Sequence, residues 1–308
     1  MIIAENLTKH FSDVTALDKL NCKIPDGCIY GLVGANGAGK STLLRLASGV
    51  YSPDSGSIRL DGKRILDNPD AKRRFVFVPD DLFFLPQSHM ERMAKLYSAA
   101  YRRFSYKRFY ALTEQFGLNP RRSFSAFSKG MRRQAACILA MSTMTEYIFF
   151  DETFDGLDPV MRNLVKQTLY NDVLDRGVTA VVASHSLREL EDTCDQLALL
   201  YKGKLVLESD VQNIKTSLFK IQVAFADAYD RSRFSALDLV SFDKQGSVCN
   251  LIIRGERQES CAILEQMKPL FYEILPLTLE EVFIYELEAL GYVFNEPYGK
   301  GGMTNDAV

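Results

Sequence analysis

The residues best suited to chemistry are Gly34, Ala35, Asn36, Gly37, Ala38, Gly39, Lys40, Ser41 and Thr42. A glycine, four residues and then Gly-Lys-Ser is the phosphate-loop pattern, whose glycines let the backbone approach a polyphosphate and turn N–H groups toward it. Lys40 supplies a point charge for β- and γ-phosphates, and the Ser41 hydroxyl can hold Mg²⁺. Other polar residues close apolar runs: Asp80-Asp81 after residues 75–79, Asp151-Glu152 after 147–150, and Ser184-His185 after 178–183. Acids and a histidine at the ends of buried strands lie at the ligand-binding edge of a parallel sheet. Phe127-Ser128-Lys129-Gly130-Met131 sets a serine and a glycine just ahead of a helical pattern, a second potential anion site. Taken singly, Asp151-Glu152 also reads as helix-starting acids, His185 as a capped loop residue and Phe11 as a local packing aromatic.

These groups need elements to hold them, and the sequence supplies an α/β pattern. Residues 1–33 read as strands and turns, with strands opening at Ile2-Ile3 and over 16–24, and a turn at Pro25-Asp26-Gly27. Residues 29–33 read as a buried strand feeding the phosphate loop, and 41–48 as an amphipathic helix closed by Gly49. Over 84–145 strand patterns vanish. Helices are expected at 90–101, 106–116 and 131–141, a helical insertion with stops at Gly117 and Asn119-Pro120. Asp158-Pro159 starts a helix running to about Asp175, and 197–208 reads as a hairpin around Lys202-Gly203. Residues 209–218 read as a link. A smaller α+β pattern follows, with strands at 219–225 and 248–254 and helices at 259–268 and 279–289. The expected organisation is a domain over 1–215 with its helical subdomain at about 84–145, an accessory domain over 216–290, and a flexible Gly-, Asn- and Pro-rich tail over 291–308.

The bulk composition excludes several classes. No apolar run approaches the roughly 18 residues of a membrane span. The start, MIIAENLTKHF, has no secretory apolar block. Six cysteines without metal-ligand spacing read as reduced thiols of a cytosolic protein. Net charge is −2, but residues 92–133 hold eleven Lys or Arg against the single acid Glu114. Such a block can face nucleic acid or anionic lipid, or be a solvated helical surface.

Together the motifs resemble the nucleotide-binding subunits of ATP-binding cassette (ABC) transporters over about residues 1–210. Gly34 to Thr42 is similar to the Walker A loop, and Phe11 to the aromatic A-loop that stacks on adenine. Residues 127–131 are similar to the signature loop, usually Leu-Ser-Gly-Gly-Gln, and 149–152 to Walker B with its glutamate. Asp155 to Asp158 resembles the D-loop, and His185 the switch histidine. Three departures stand out. Asp80 occupies the place of the Q-loop glutamine. The signature carries Lys129 and Met131. Thr153-Phe154 replaces the usual Pro-Thr.

The resemblance implies a P-loop NTPase fold with a mainly parallel sheet, an antiparallel N-terminal β part and an inserted helical subdomain. It implies an ATPase that uses ATP and Mg²⁺ and acts as a homodimer or heterodimer with a related subunit. Lys40 and the loop would hold phosphates, and Ser41 and Asp151 would hold Mg²⁺, with Asp80 a further candidate ligand. Glu152 would be the base and His185 the γ-phosphate contact. Ser128, Lys129, Gly130 and Met131 would act across the dimer, with Asp155 and Asp158 in the D-loop. FSKGMRRQ and residues 279–283 look like the branch serving exporters of antibiotics and peptides, whose membrane permease is a separate chain. That implies a cytoplasmic subunit held on the inner face of the membrane, with no nucleic acid partner. Two alternatives are a non-transport ABC ATPase acting on nucleic acid or ribosomes, and a regulatory ATP sensor.

Overall fold

The structure, a computed structural model, describes residues 1–289, apart from the side chains at 215–217 and 289. The expected tail over 291–308 lies outside the described residues. The chain divides into two compact units, the first being Met1–Val211 and the second starting at Gln212.

In chain order the first unit contains β1 (Ile2–Phe11), β2 (Val14–Ile24), β3 (Ile29–Val33), α1 (Lys40–Ala47), β4 (Ser55–Leu60), β5 (Lys63–Arg64), α2 (Pro69–Lys72) and β6 (Phe75–Val78). The helical insertion follows as α3 (Met90–Ala100), α4 (Tyr106–Gln115) and α5 (Lys129–Ser142). The unit closes with β7 (Tyr147–Asp151), α6 (Pro159–Arg176), β8 (Thr179–Ser184), α7 (Leu187–Glu191), β9 (Gln196–Tyr201) and β10 (Lys204–Asp210).

One sheet is antiparallel, in the order β2-β1-β4-β5. The other runs β10-β9-β3-β8-β7-β6 and is parallel except for the edge strand β10. β3, β7 and β8 are buried at every position, which explains their largely apolar runs. Their register determines the site. Val33 pairs with Ser184 and Asp151 with Ala183, so the residues that follow β3, β8 and β7 emerge side by side.

Local signals set the helix ends. Gly39 caps α1 at φ 109°, a conformation that favours glycine. A Cβ there would lie 2.7 Å from the Ala16 carbonyl, and one on Gly34 would lie 2.4 Å from the Leu200 carbonyl. Asp158 caps α6, accepting from the amides of Val160 and Met161 at 3.1 and 3.0 Å. Gly177 ends the same helix in the left-handed region.

The second unit begins within α8 (Val211–Ser217) and continues through β11 (Leu218–Ala224), β12 (Asp238–Gln245), β13 (Val248–Arg254), α9 (Arg257–Gln266), β14 (Phe271–Leu275) and α10 (Leu279–Ala289). Its strands form an antiparallel sheet, β12-β13-β11-β14. Ile221, Val223, Leu251 and Ile253 pack with Leu264 of α9 in one core. Thr278 and Glu281 form a reciprocal capping box before α10: the Thr278 amide donates to Glu281 Oε2 and the Glu281 amide to Thr278 Oγ1.

The structure differs from the sequence expectation in two places. The expected link at 209–218 is instead the end of β10, the helix α8 and the start of β11. β12 and β14 are edge strands with mostly half-exposed or exposed residues, so neither announces itself by apolarity. β1 opens at Ile2 as expected and runs to Phe11; register shifts between Ala4 and Leu7, and again near Lys9, break its alternation of buried and exposed residues.

Candidate nucleotide site

Three strand ends converge on one cluster of charges. Lys40, at the start of α1, is 5% exposed. Its ammonium donates to the carbonyls of Gly34 at 2.6 Å and Ala35 at 3.3 Å, and lies 3.1 Å from Glu152 Oε1. The other Glu152 oxygen accepts from the His185 amide at 3.2 Å and lies 3.0 Å from His185 Nδ1. Asp155 Oδ2 stands 3.3 Å from the same ring nitrogen. Lys40, Glu152, His185 and Asp155 therefore meet as one network. Glu152 itself sits at φ 47°, an unusual conformation for a residue with a side chain.

Residues 17–155 match the protein family described as ABC transporter. Over 284 residues the chain is 28% identical to the ABC transporter ATP-binding protein YtrB of Bacillus subtilis (strain 168), covering 92% of this chain and 97% of that one. It is 30% identical over 229 residues to the uncharacterized ABC transporter ATP-binding protein YhaQ of the same organism, covering 72% and 76%. The chain belongs to the ABC transporter ATP-binding family. It is 28% identical over 245 residues to the daunorubicin/doxorubicin resistance ATP-binding protein DrrA of Streptomyces peucetius, covering 77% and 74%. Among solved structures, the dimeric ABC transporter cassette MJ0796 has the same fold, with a TM-score of 0.63 at 22% identity, over 68% of this chain and 99% of that one.

As a member of this family the protein binds ATP with Mg²⁺, and its ATPase activity energises transport. Among the described residues no helix is long and apolar enough to cross a membrane.

The residues beside the phosphate loop fit a divalent cation. Ser41 Oγ donates to Asp151 Oδ1 at 2.8 Å, while Asp151 Oδ2 is buried without a hydrogen-bond partner. Burial pushes the Asp151 carboxyl above the ordinary carboxylate range; Glu152 and Asp80 add to the rise, and Ser41 and Arg45 oppose it. An unsatisfied buried oxygen beside a serine hydroxyl suits a hard cation. When bound, Mg²⁺ would neutralise charge on the transferring phosphoryl group.

The other expected residues fall into three places. Phe11, 41% exposed, lies edge-on to Tyr51 with centroids 5.3 Å apart, and the Arg45 guanidinium lies 5.7 Å from the Tyr51 ring centroid. Tyr51 was not read from the sequence; a lone aromatic after a helix carries no signal of what it packs against. Ser128 caps α5, accepting from the Met131 amide at 3.2 Å, with Ser128 and Lys129 exposed. Asp80 accepts from Arg133 at 2.7 Å. Arg133 also escaped the sequence reading, hidden in a basic run. Its signal is its place at the start of the stretch of α5 that is buried without a break, Arg133 to Ser142, which reads in sequence as small and apolar residues after the basic run.

The basic block is not all surface. Arg108 donates to Asp172, which is 4% exposed and also pairs with Arg176 at 2.9 Å. Arg133 is buried, and Arg121 pairs with Glu91 at 3.1 Å. Arg102 and Arg103 are exposed and line a cleft of about 200 Å³ with Arg73, Arg74, Tyr101 and Glu146.

Proposed function

We propose that two copies of this chain, or one copy and a related subunit, hold two ATP molecules head to tail and that their closure drives a separate permease of the exporter type. The observation that supports this reading is the Glu152 carboxylate, shared between Lys40 and His185 at 3.1 and 3.0 Å beside the Ser41–Asp151 pair. In this reading Lys40 passes from Glu152 to the β- and γ-phosphates, and the glycine loop aims its amides at the same oxygens. Ser41 and Asp151 would hold Mg²⁺. Glu152, released from Lys40, orients and deprotonates the attacking water, and His185 keeps the Glu152 carboxylate aimed. Phe11, backed by Tyr51, offers a face to adenine. Ser128, Lys129, Gly130 and Met131 meet the γ-phosphate bound by the other subunit, with Asp155 and Asp158 lining the same junction.

In this reading the first unit, residues 1–211, carries the ATP chemistry, with the basic segment 92–133 of its helical insertion facing the permease, and the second unit forms a dimerisation or regulatory module. The subunit works from the cytoplasmic face. The resistance function in the name of DrrA supports export of antibiotic- or peptide-like cargo.

The test is affinity purification of the full chain from solubilised membranes, with light scattering of Glu152→Gln in saturating Mg-ATP. Co-purification of an integral membrane protein and an ATP-dependent dimer are expected. A chain that remains monomeric with ATP bound, or that captures nucleic acid in a salt-sensitive manner instead of a permease, overturns the reading.

A further inference from the structure

One buried cation beside the catalytic cluster, in the run FSKGMRRQ, has been given no role above. Arg133 lies on α5, its side chain 6% exposed, and its guanidinium spans two segments distant in sequence. One nitrogen donates to Asp80 Oδ1 at 2.7 Å, just beyond β6. Another donates to the main-chain carbonyl of Glu152, just beyond β7. Gly156 lies alongside, where an added Cβ would stand 4.0 Å from Arg133 Nε. A planar fork of N–H donors can make such a bridge; a lysine point charge cannot make both bonds with the same geometry.

Two features make this contact matter. Glu152 holds a left-handed backbone at φ 47°, which persists only when neighbouring bonds over-determine it. Its amide is fixed by the Ala183 carbonyl at 3.0 Å, and Arg133 fixes the other end of the residue. Asp80 is also an extra negative charge where the resemblance expects a neutral glutamine. Arg133 is the cation that compensates it, at the edge of a site that already contains Asp151 and Glu152.

We propose that Arg133 is a positioning residue for ATP hydrolysis: it fixes the Glu152 backbone and offsets the Asp80 charge, tying the helical insertion to the catalytic glutamate. This rests on reading Glu152 as the base. The partner groups at issue are a carboxylate and a carbonyl, so removing the guanidinium and removing Asp80 have linked effects.

The experiment uses the full chain with Mg-ATP and compares Arg133→Gln, Arg133→Lys, Asp80→Asn and the Asp80→Asn/Arg133→Gln double variant. Each is measured for kcat, KM, binding of a fluorescent ATP analogue and thermal melting. Arg133→Gln is expected to lower kcat by ~10-fold or more, since small misplacements of catalytic groups have effects of that size, with analogue affinity within about twofold. Arg133→Lys, which keeps the charge but loses the fork, is expected to fall between Arg133→Gln and wild type. The double variant is expected to recover part of the loss, because it removes the unpaired carboxylate along with the cation. If Arg133→Gln does not fold, Arg133→Lys decides alone: a fall in kcat of ~3-fold or more with normal affinity supports the proposal, and a smaller change overturns it. Losses that simply add in the double variant, or a folded Arg133→Gln with kcat within about twofold of wild type, also overturn it. Glu152→Gln separates the two readings: full turnover there removes the base assignment, whereas an inactive Glu152→Gln beside a fully active Arg133→Gln removes only this proposal.

Discussion

The Lys40 ammonium and the Glu152 carboxylate lie 3.1 Å apart, and their side chains are 5% and 14% exposed. A pair so shielded from water has stakes on both sides, because removing one partner leaves the other as an uncompensated charge. The pairing also keeps the proposed base on a cation that polyphosphate oxygens would compete for. Glu152 could then be delivered to water when Lys40 turns to phosphate, which connects filling of the loop to readiness for hydrolysis.

Glu152→Gln is the direct consequence. It keeps the size and hydrogen-bonding reach of the side chain but removes the base, so turnover should fall by ~100-fold or more while ATP binding is retained. Single-turnover hydrolysis alongside equilibrium nucleotide binding measures both. Near-normal hydrolysis with a well-folded protein would refute the assignment.

Lys40→Ala should act on binding. Loss of charge-assisted hydrogen bonds of ~1.5–3 kcal/mol corresponds to an ATP affinity weaker by ~10- to 100-fold. Calorimetric titration with a slowly hydrolysed ATP analogue reads this, and an unchanged Kd would count against the phosphate-loop role. The same substitution leaves Glu152 without its cation, so a changed melting temperature in the absence of nucleotide is expected as well.

The arginines of the helical insertion should separate into two kinds. Arg108→Glu would set a second carboxylate against Asp172, which is nearly fully buried and keeps only Arg176 among the described residues; losing a hydrogen bond between charged groups costs ~1.5–3 kcal/mol. Arg102→Glu and Arg103→Glu alter exposed side chains, and changes there usually stay within about 0.5 kcal/mol. Urea unfolding should therefore find Arg108→Glu strongly destabilised and the other two near wild type. Only the Arg102 and Arg103 variants can then test whether this face assembles with a permease. Equal stability across all three would mean that the Arg108–Asp172 contact contributes little.

Much of this arrangement was legible in the sequence because the α/β core writes its rules plainly. The β3, β7 and β8 runs are largely apolar since both faces are covered; β7 and β8 end in the polar residues that reach the site, and β3 runs into the glycine loop. Asp158 and Gly177 marked their helix ends through capping chemistry that depends on neighbouring residues alone. What the sequence hid depends on distant partners. Nothing near Asp80 signals that Arg133 will meet it, and nothing near Arg108 points to Asp172. β12 and β14 also stayed hidden, because edge strands leave many side chains in water and lose the apolar signature.

The cysteines lead to a prediction about alkaline stability. All six are free thiols, five of them buried. Burial pushes Cys22, Cys28 and Cys137 up to about 12 and Cys249 up to about 11, with nearby charges as smaller contributions. At Cys137 the Arg133 guanidinium opposes the rise without cancelling it. In an unfolded chain a thiol ionises near ~8.5. Below that value both states hold the proton and the contribution is intact. Above it the unfolded chain loses the proton while the folded protein keeps it, so stability falls until the folded value is passed. Each such thiol should cost ~1.4 kcal/mol per pH unit across that window. Urea unfolding under reducing conditions between pH 8 and 10.5 should show a steep decline. Cys137→Ala should flatten the slope by about one thiol's share, whatever the substitution does to stability at pH 7. An unchanged slope would mean that Cys137 is not protected from ionisation in the folded protein.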